Sequence, residues 1–328
     1  MSYLVKTKSE TLEFFYEEKR GICYRNELED TVHLLTEEAT GEMDVCSGEN
    51  LHLICQSKKG ELLYFCYRMG QWHRRVLLNN KKEEPCLFHL RLWQDDKELR
   101  LFYILDHQGE LLLVCQPLDK TPQPIAKISE KQFLLRKDRS GCMHLIYRQR
   151  EESFLQTYRY GNWMNPKSLG NILVLDALFT QNQTAHLAIQ EHGNLFYASL
   201  KEGEIKEKLP VTRGECLPVL LYYENSIWIL YENRGRVFYW KKGEKSPVSM
   251  ITGSKPELFH LRVCGGTELV RRAYGCRRQH QINLFLCSNI PEESQKSFSD
   301  DCMIELTKLK LRLDILEETV RNKWKTEN

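Results

Sequence analysis

The chain has 328 residues, 41% of them hydrophobic, and its 15 Tyr, 13 Phe and 6 Trp favour pleated, half-buried surfaces over helix packing. Lys plus Arg (47) nearly balances Asp plus Glu (45), which excludes a chain-wide field of the kind that draws proteins to nucleic acid or anionic membranes. No window approaches the roughly 18 uninterrupted apolar residues of a membrane span, and MSYLVKTKSETLEFF lacks the apolar core of a secretory signal, so a cytoplasmic protein is expected.

Six His-Leu dipeptides, at His33, His52, His89, His144, His186 and His260, sit in apolar runs and expose a repeat. In chain order the anchoring runs are LEFFYE from Leu12, LHLICQ from Leu51, LRLFYI from Leu99, MHLIYR from Met143, AHLAIQ from Ala185, IWILYE from Ile227 and, more weakly, LVRRAY from Leu269. Their starts recur about every 42 residues. After each anchor comes a polar turn, often closed by Gly, and a second apolar run, as in GELLYFCYR from Gly60, GELLLVCQ from Gly109, GNLFYASL from Gly193 and GRVFYW from Gly235. Gly in a short polar gap between alternating runs marks a hairpin. A more polar run follows (QWHRRVLLN, PQPIAKI, PVSMIT), and the next unit opens on a strongly apolar one (PCLFHLRLW, ILVLDALF, CLPVLLYY, PELFHLRVC).

Four short strands per repeat, without the helical periodicity of a solenoid, is the grammar of a β-propeller. The expected fold is all-β, a seven-bladed β-propeller over residues 1–288, with six or eight blades as alternatives. Ring closure has two readings: SYLVKT completes the last blade, or that blade has three strands. A linker follows over 289–298. From 299 to 328 the pattern turns helical, with Cys302, Leu306, Leu309, Leu313, Leu316, Val320 and Lys323 at alternating steps of four and three, as a and d positions require. Glu305 with Lys310 and Arg312 with Glu317 are opposite in sign across the seam. A short coiled coil is expected, self-associating through Leu306, Leu309, Leu313, Leu316 and Val320. Ile304, Leu311 and Ile315 form a second apolar stripe, so a helix folded back on the propeller is the alternative.

The twelve cysteines form no CxxC pair and several lie in apolar strand-like runs, which reads as buried, reduced thiols. The Cys/His spacings match no common zinc site, and neither metal nor cofactor is expected. The recurring histidines read as framework, because Arg100 and Trp228 fill the same slot in other units. Three arginines are candidate ligand-binding residues. Arg91 and Arg262 close two LFHLR runs and Arg136 closes QFLLR, placing all three similarly on channel-side strands, where they can clamp a carboxylate or phosphate. The alternative is that each pairs with a nearby acid such as Asp95, Asp96, Asp138 or Glu268. Trp72 in YRMGQW and Trp163 in YRYGNWMNP follow Gly-polar turns, where an indole either stacks on a sugar or staples one blade to the next. There is no nucleophile elbow, P-loop or HExxH motif, so no catalytic residue is nominated.

The unit GCMHLIYRQREESFLQTYRYGNWMNPKSLG (Gly141–Gly170) resembles the blades of sialidase-like and fucose-lectin-like propellers, with their HLxYR…YR…W-x-x-P…LG pattern. The resemblance is good over this unit and fair over five. It implies the propeller architecture; the Asp-box and the F/Y-R-I-P run of those families are absent. The expected function is a non-enzymatic interaction scaffold for a protein partner, multimerised through its C-terminal helix. The alternative is a lectin-like or sialidase-like propeller that recognises an acidic glycan.

Overall fold

The computed structural model describes residues 2–285, apart from 8–9, 28, 30, 82–83, 95–97, 139–140, 181–183, 202, 224–225, 251–253, 264–271 and 279–280. Local chemistry sets the strand breaks. Five hairpins turn on two residues, Met69-Gly70, Gln108-Gly109, Tyr160-Gly161, His192-Gly193 and Arg234-Gly235, with every φ between +48° and +84°. Paired left-handed residues give the turn whose twist matches the flanking strands, and Gly adopts the second position without a Cβ penalty.

Between these turns the alternating and apolar runs form, among the described residues, 28 strands grouped into six sheets. The strands β1 (Ser2–Lys6), β2 (Thr11–Glu17), β3 (Gly21–Asn26) and β4 (His33–Thr36) begin the first sheet. The second is β5 (Ala39–Ser47), β6 (Leu51–Ser57), β7 (Leu62–Arg68) and β8 (Gln71–Leu78). The third is β9 (Leu87–Gln94), β10 (Leu99–His107), β11 (Glu110–Pro117) and β12 (Gln123–Ile128). In the fourth, β13 (Phe133–Lys137), β14 (Met143–Gln149) and β15 (Glu152–Arg159) are followed by β16 (Asn162–Trp163) and β17 (Lys167–Gly170), both paired to β15. The fifth is β18 (Leu173–Phe179), β19 (Thr184–Glu191), β20 (Asn194–Lys201) and β21 (Glu204–Arg213). The sixth is β22 (Val219–Tyr223), β23 (Ser226–Asn233), β24 (Arg236–Lys241) and β25 (Val248–Ser249). The last strands, β26 (Pro256–Val263), β27 (Arg272–Arg278) and β28 (Gln281–Leu284), return to the first sheet, which thereby has seven strands.

The core is distributed between sheets. Tyr3, Phe14 and Ile22 pack on Val45, Leu53 and Phe65 of the second sheet, and four further buried clusters join each consecutive pair through the sixth. The sixth sheet meets β27 through Tyr274, whose hydroxyl donates to the Leu217 carbonyl across a β22–β27 contact. Four-stranded sheets packed face to face around a closed circuit are the arrangement of a β-propeller.

At closure SYLVK does join the last strands, as one reading of the sequence expects, but it also joins the first: β1 bonds on one edge to β26 (parallel, Ser2↔Phe259 to Lys6↔Val263) and on the other to β2 (antiparallel). Both edges of β1 are thus satisfied, as an inner strand demands. The chain divides into two compact units, Met1–Leu284 and Phe285–Asn328. The expected linker over 289–298 and helix over 299–328, with Leu306, Leu309, Leu313, Leu316 and Val320, lie outside the described residues. Nine described cysteines are unbridged, six of them buried, and burial pushes the Cys115 thiol up to about 11. No described helix is long and apolar enough to cross a membrane.

Candidate functional site

The inner strands β9, β13, β18 and β26, with the start of β27, line a cavity of about 130 Å³ whose wall carries five arginines (Arg91, Arg136, Arg148, Arg262 and Arg272), Glu130 and the imidazoles of His89 and His260. The three predicted arginines therefore line one space. They do not play one part in it.

Two lone aspartates break the apolar inner runs and are almost wholly buried, Asp44 in β5 (0% exposed) and Asp176 in β18 (4%). Each holds an arginine in the same way. Arg262 donates from Nε to the Val45 carbonyl (2.9 Å) and from Nη2 to both oxygens of Asp44 (3.0 Å each), while the Leu92 N–H donates to Oδ2 (2.7 Å). Arg136 donates from Nε to the Ala177 carbonyl (2.9 Å) and from Nη2 to Asp176 Oδ1, while the Leu220 N–H donates to Oδ2 (2.9 Å). Arg272 brings a second guanidinium 3.1 Å from Asp176 Oδ2. Burial alone raises the Asp176 pKa, but the Arg272 and Arg136 charges and the Leu220 N–H outweigh it and hold the carboxyl below its ordinary value.

The predicted pairing thus occurs for Arg136 and Arg262, with other acids than those the sequence suggests. Asp138 is engaged by His144 Nε2 (3.1 Å) and the Cys142 N–H (2.9 Å); Asp95, Asp96 and Glu268 lie outside the described residues. Arg91 differs. Its Nη1 donates to the Leu90 carbonyl (2.7 Å), and it makes no ion pair among the described residues. The lining carboxylate Glu130 is paired with Arg148 (2.8 Å), and Glu42, behind the wall, accepts the His89 N–H (2.9 Å).

The two cavity histidines are held in distinct ways. His89 sits in a register slip of β9 with φ +53°, a left-handed conformation that costs ~1–3 kcal/mol outside Gly. The Glu42 carboxylate on its amide and an edge contact with the Phe133 ring (4.8 Å) hold it there. His260 is 6% exposed and stacks on Tyr3 (centroids 4.7 Å apart), and its Nε2 has no hydrogen-bond partner. Burial first, then the arginine charges, push both imidazoles well below their ordinary pKa, so both are neutral at pH 7. Arg91, the two neutral imidazoles and the partly compensated Arg272 make a wall of N–H donors suited to an anion. Among the described residues no group of three or more His, Cys, Asp or Glu is placed to hold a metal ion.

Packing takes Trp72 and Trp163 out of this site. Trp72 meets the rings of Phe14, Tyr24 and Tyr67 between the first and second sheets. Trp163 meets Phe102 and Tyr158 between the third and fourth. Each indole staples neighbouring sheets and is partly buried there. The remaining histidines are spent on framework: His52 Nδ1 lies 2.8 Å from Tyr64 Oη, His186 Nδ1 lies 2.7 Å from Tyr197 Oη, and His33 stacks on Tyr24. Asp44, Asp176, His260 and Arg272 were not singled out from the sequence as site residues. A lone acid inside an apolar run, as in LVLDALF, was the available signal.

No family model and no curated protein matches the chain. Among solved structures it is similar to a fucose-specific lectin from Aleuria aurantia (10% identity, 76% of this chain and 94% of that one, TM-score 0.46). It is likewise similar to AofleA from Arthrobotrys oligospora, solved as an arginine-to-alanine mutant (10% identity, 77% and 87%, TM-score 0.42). A third similar structure is a catalytically inactive virginiamycin B lyase from Staphylococcus aureus (10% identity, 78% and 87%, TM-score 0.48).

Proposed function

We propose that the protein is a non-enzymatic, cytoplasmic binding propeller that recognises an acidic ligand, such as an acidic sugar, in the cavity between its inner strands. The observation that supports this reading is Arg91, a guanidinium in the cavity wall that lacks the carboxylate its counterparts Arg136 and Arg262 possess. An entering acid supplies that carboxylate, and the planar fork of Arg meets it through two parallel N–H bonds. The test is thermal unfolding of the full chain with glucuronic acid, N-acetylneuraminic acid and neutral monosaccharides. Acidic sugars are expected to raise Tm by a few degrees near a hundredfold excess over Kd, and Arg91→Ala to abolish the rise. An equal response to neutral sugars, or an undiminished one in Arg91→Ala, overturns the reading.

In this proposal the ring counts seven blades, with β26–β28 joined by β1 in the last one, and residues 299–328 form the coiled coil that multimerises it. Multimers let weak single sites, or a protein partner that engages several copies, bind with useful avidity. Deleting residues 299–328 is expected to reduce a multimer to a monomer in light scattering; an unchanged mass means the segment does not assemble the chains.

A further inference from the structure

The sequence suggests a triad of Arg91, Arg136 and Arg262, but the structure spends two of these on internal acceptors. The Nε and Nη2 of both Arg136 and Arg262 are already donated to a buried aspartate and to the carbonyl of the residue after it. Three other cavity-lining groups hold buried nitrogens that have no partner, and one of them, Arg148 Nε, belongs to a guanidinium already bound to Glu130 and Asn171. Arg272 gives its Nη2 to Asp176 and to the Leu175 and Pro218 carbonyls (3.3 and 3.0 Å), yet its Nε is buried and unpartnered. His260 Nε2 is buried and unpartnered in the same wall. Leaving such a group unsatisfied is costly, and several at one cavity, beside an arginine with no carboxylate among the described residues, point to an acceptor that is supplied from outside.

We propose that Arg91, His260 and Arg272 form a subsite for the carboxylate of a small organic acid. This rests on the acidic-ligand reading above and deepens it. Charge selects a monoanion: among the described residues the five arginines Arg91, Arg136, Arg148, Arg262 and Arg272 face the four carboxylates Asp44, Asp176, Glu130 and Glu42, the last bound by the neutral His89 N–H, which leaves one positive charge, and Arg91 makes no ion pair. A dianionic phosphate brings one negative charge more than this wall lacks. Size selects a short acid. The cavity of about 130 Å³ is comparable to the engineered cavity of about 150 Å³ that takes one benzene, so it encloses about six heavy atoms. Lactate or pyruvate fits within that volume, whereas a sugar acid enters by its carboxylate end and leaves its ring outside. Neutral His260 donates from Nε2 in the tautomer that carries its proton there, and Arg91 and the Arg272 Nε supply the charged donors.

The experiment is calorimetric and thermal-shift titration of the full chain with lactate, pyruvate, inorganic phosphate and glucuronate. It is run on the wild type and on Arg91→Gln, Arg91→Lys, His260→Gln and, as a surface control, Arg75→Gln. The expected result is saturable binding of lactate or pyruvate, tighter than phosphate. Arg91→Gln and His260→Gln are each expected to weaken it tenfold or more, Arg91→Lys less, and Arg75→Gln not at all. Should His260→Gln fail to fold, the Arg91 pair still decides. Binding of short acids that survives Arg91→Gln and His260→Gln overturns the subsite and leaves the acidic-ligand reading standing. Binding of glucuronate without the short acids, or a preference for phosphate, overturns the small-carboxylate assignment alone. If no acid binds the wild type, the acidic-ligand reading itself falls, and the subsite with it.

Discussion

One residue type does two jobs in this molecule. His52 and His186 occupy the same slot in β6 and β19, each with Nδ1 against the hydroxyl of a tyrosine on the neighbouring strand. Burial, with a smaller contribution from Arg68 for His52 and from Lys242 for His186, lowers each pKa to about 4. An unfolded histidine titrates near 6.5, so between pH 6.5 and 4 the unfolded chain binds more protons than the folded one. The stability that rests on neutral imidazoles is therefore complete above pH 6.5 and is lost as the pH falls to about 4. The urea midpoint is expected to drop between pH 7 and pH 4.5, with the pair accounting for a fall on the order of 1–3 kcal/mol after allowing for solvent screening. The double variant His52→Gln, His186→Gln is expected to flatten that slope without abolishing it, since His89 and His260 titrate with the same sign. An unchanged slope in the variant counts against the assignment. Asp176 does not confuse the window, because its carboxyl is held below 3.8 and gives up its contribution only at lower pH.

At the scale of the element, what the sequence makes legible is what is local. The X-Gly turns at Gly109, Gly193 and Gly235 carry their left-handed geometry in two adjacent residues, and the runs on either side become β10–β11, β19–β20 and β23–β24 with the alternation intact. The inner strands are harder to read because their chemistry is non-local. Arg91, Arg136 and Arg262 stand at matched places in their runs, so their convergence on one cavity follows from the repeat. Which of them is neutralised depends on aspartates 40 and 218 residues away in the chain. Register slips in β5, β9 and β18 re-aim the backbone beside Asp44, His89 and Asp176, and no turn residue announces them. At the tryptophans the packing agrees with one of the two readings the sequence offers, a staple between blades. Trp72 and Trp163 follow exposed turn tips at Met69 and Tyr160, yet a period-two strand turns each indole inward against the next sheet.

For the whole molecule the decisive contacts join the two ends of the ordered unit. The β1–β26 pairing, the Asp44–Arg262 pair and the Arg277–Glu13 pair (2.6 Å) link the first strands to the last, and Glu13 also holds Arg25 (2.7 Å). A ring closed by partners more than 200 residues apart gains these contacts only after the loop-closure entropy of the whole chain has been lost. Asp44 is the point at which that closure is most exposed to substitution, because it neutralises a guanidinium that is itself 7% exposed. Asp44→Asn preserves an oxygen to accept the Leu92 N–H but removes the buried negative charge that Arg262 Nη2 meets. The expected loss is about 3–5 kcal/mol, read as a lower urea midpoint, with amide exchange in β1 and β26 rising first. Adding Arg262→Met removes the buried positive charge as well and keeps much of its volume, so the double variant is expected to recover a good part of the loss. A neutral Asp44→Asn, or a double variant no more stable than the single one, would show that the ring is closed by its strand pairing and apolar packing without help from the buried ion pair.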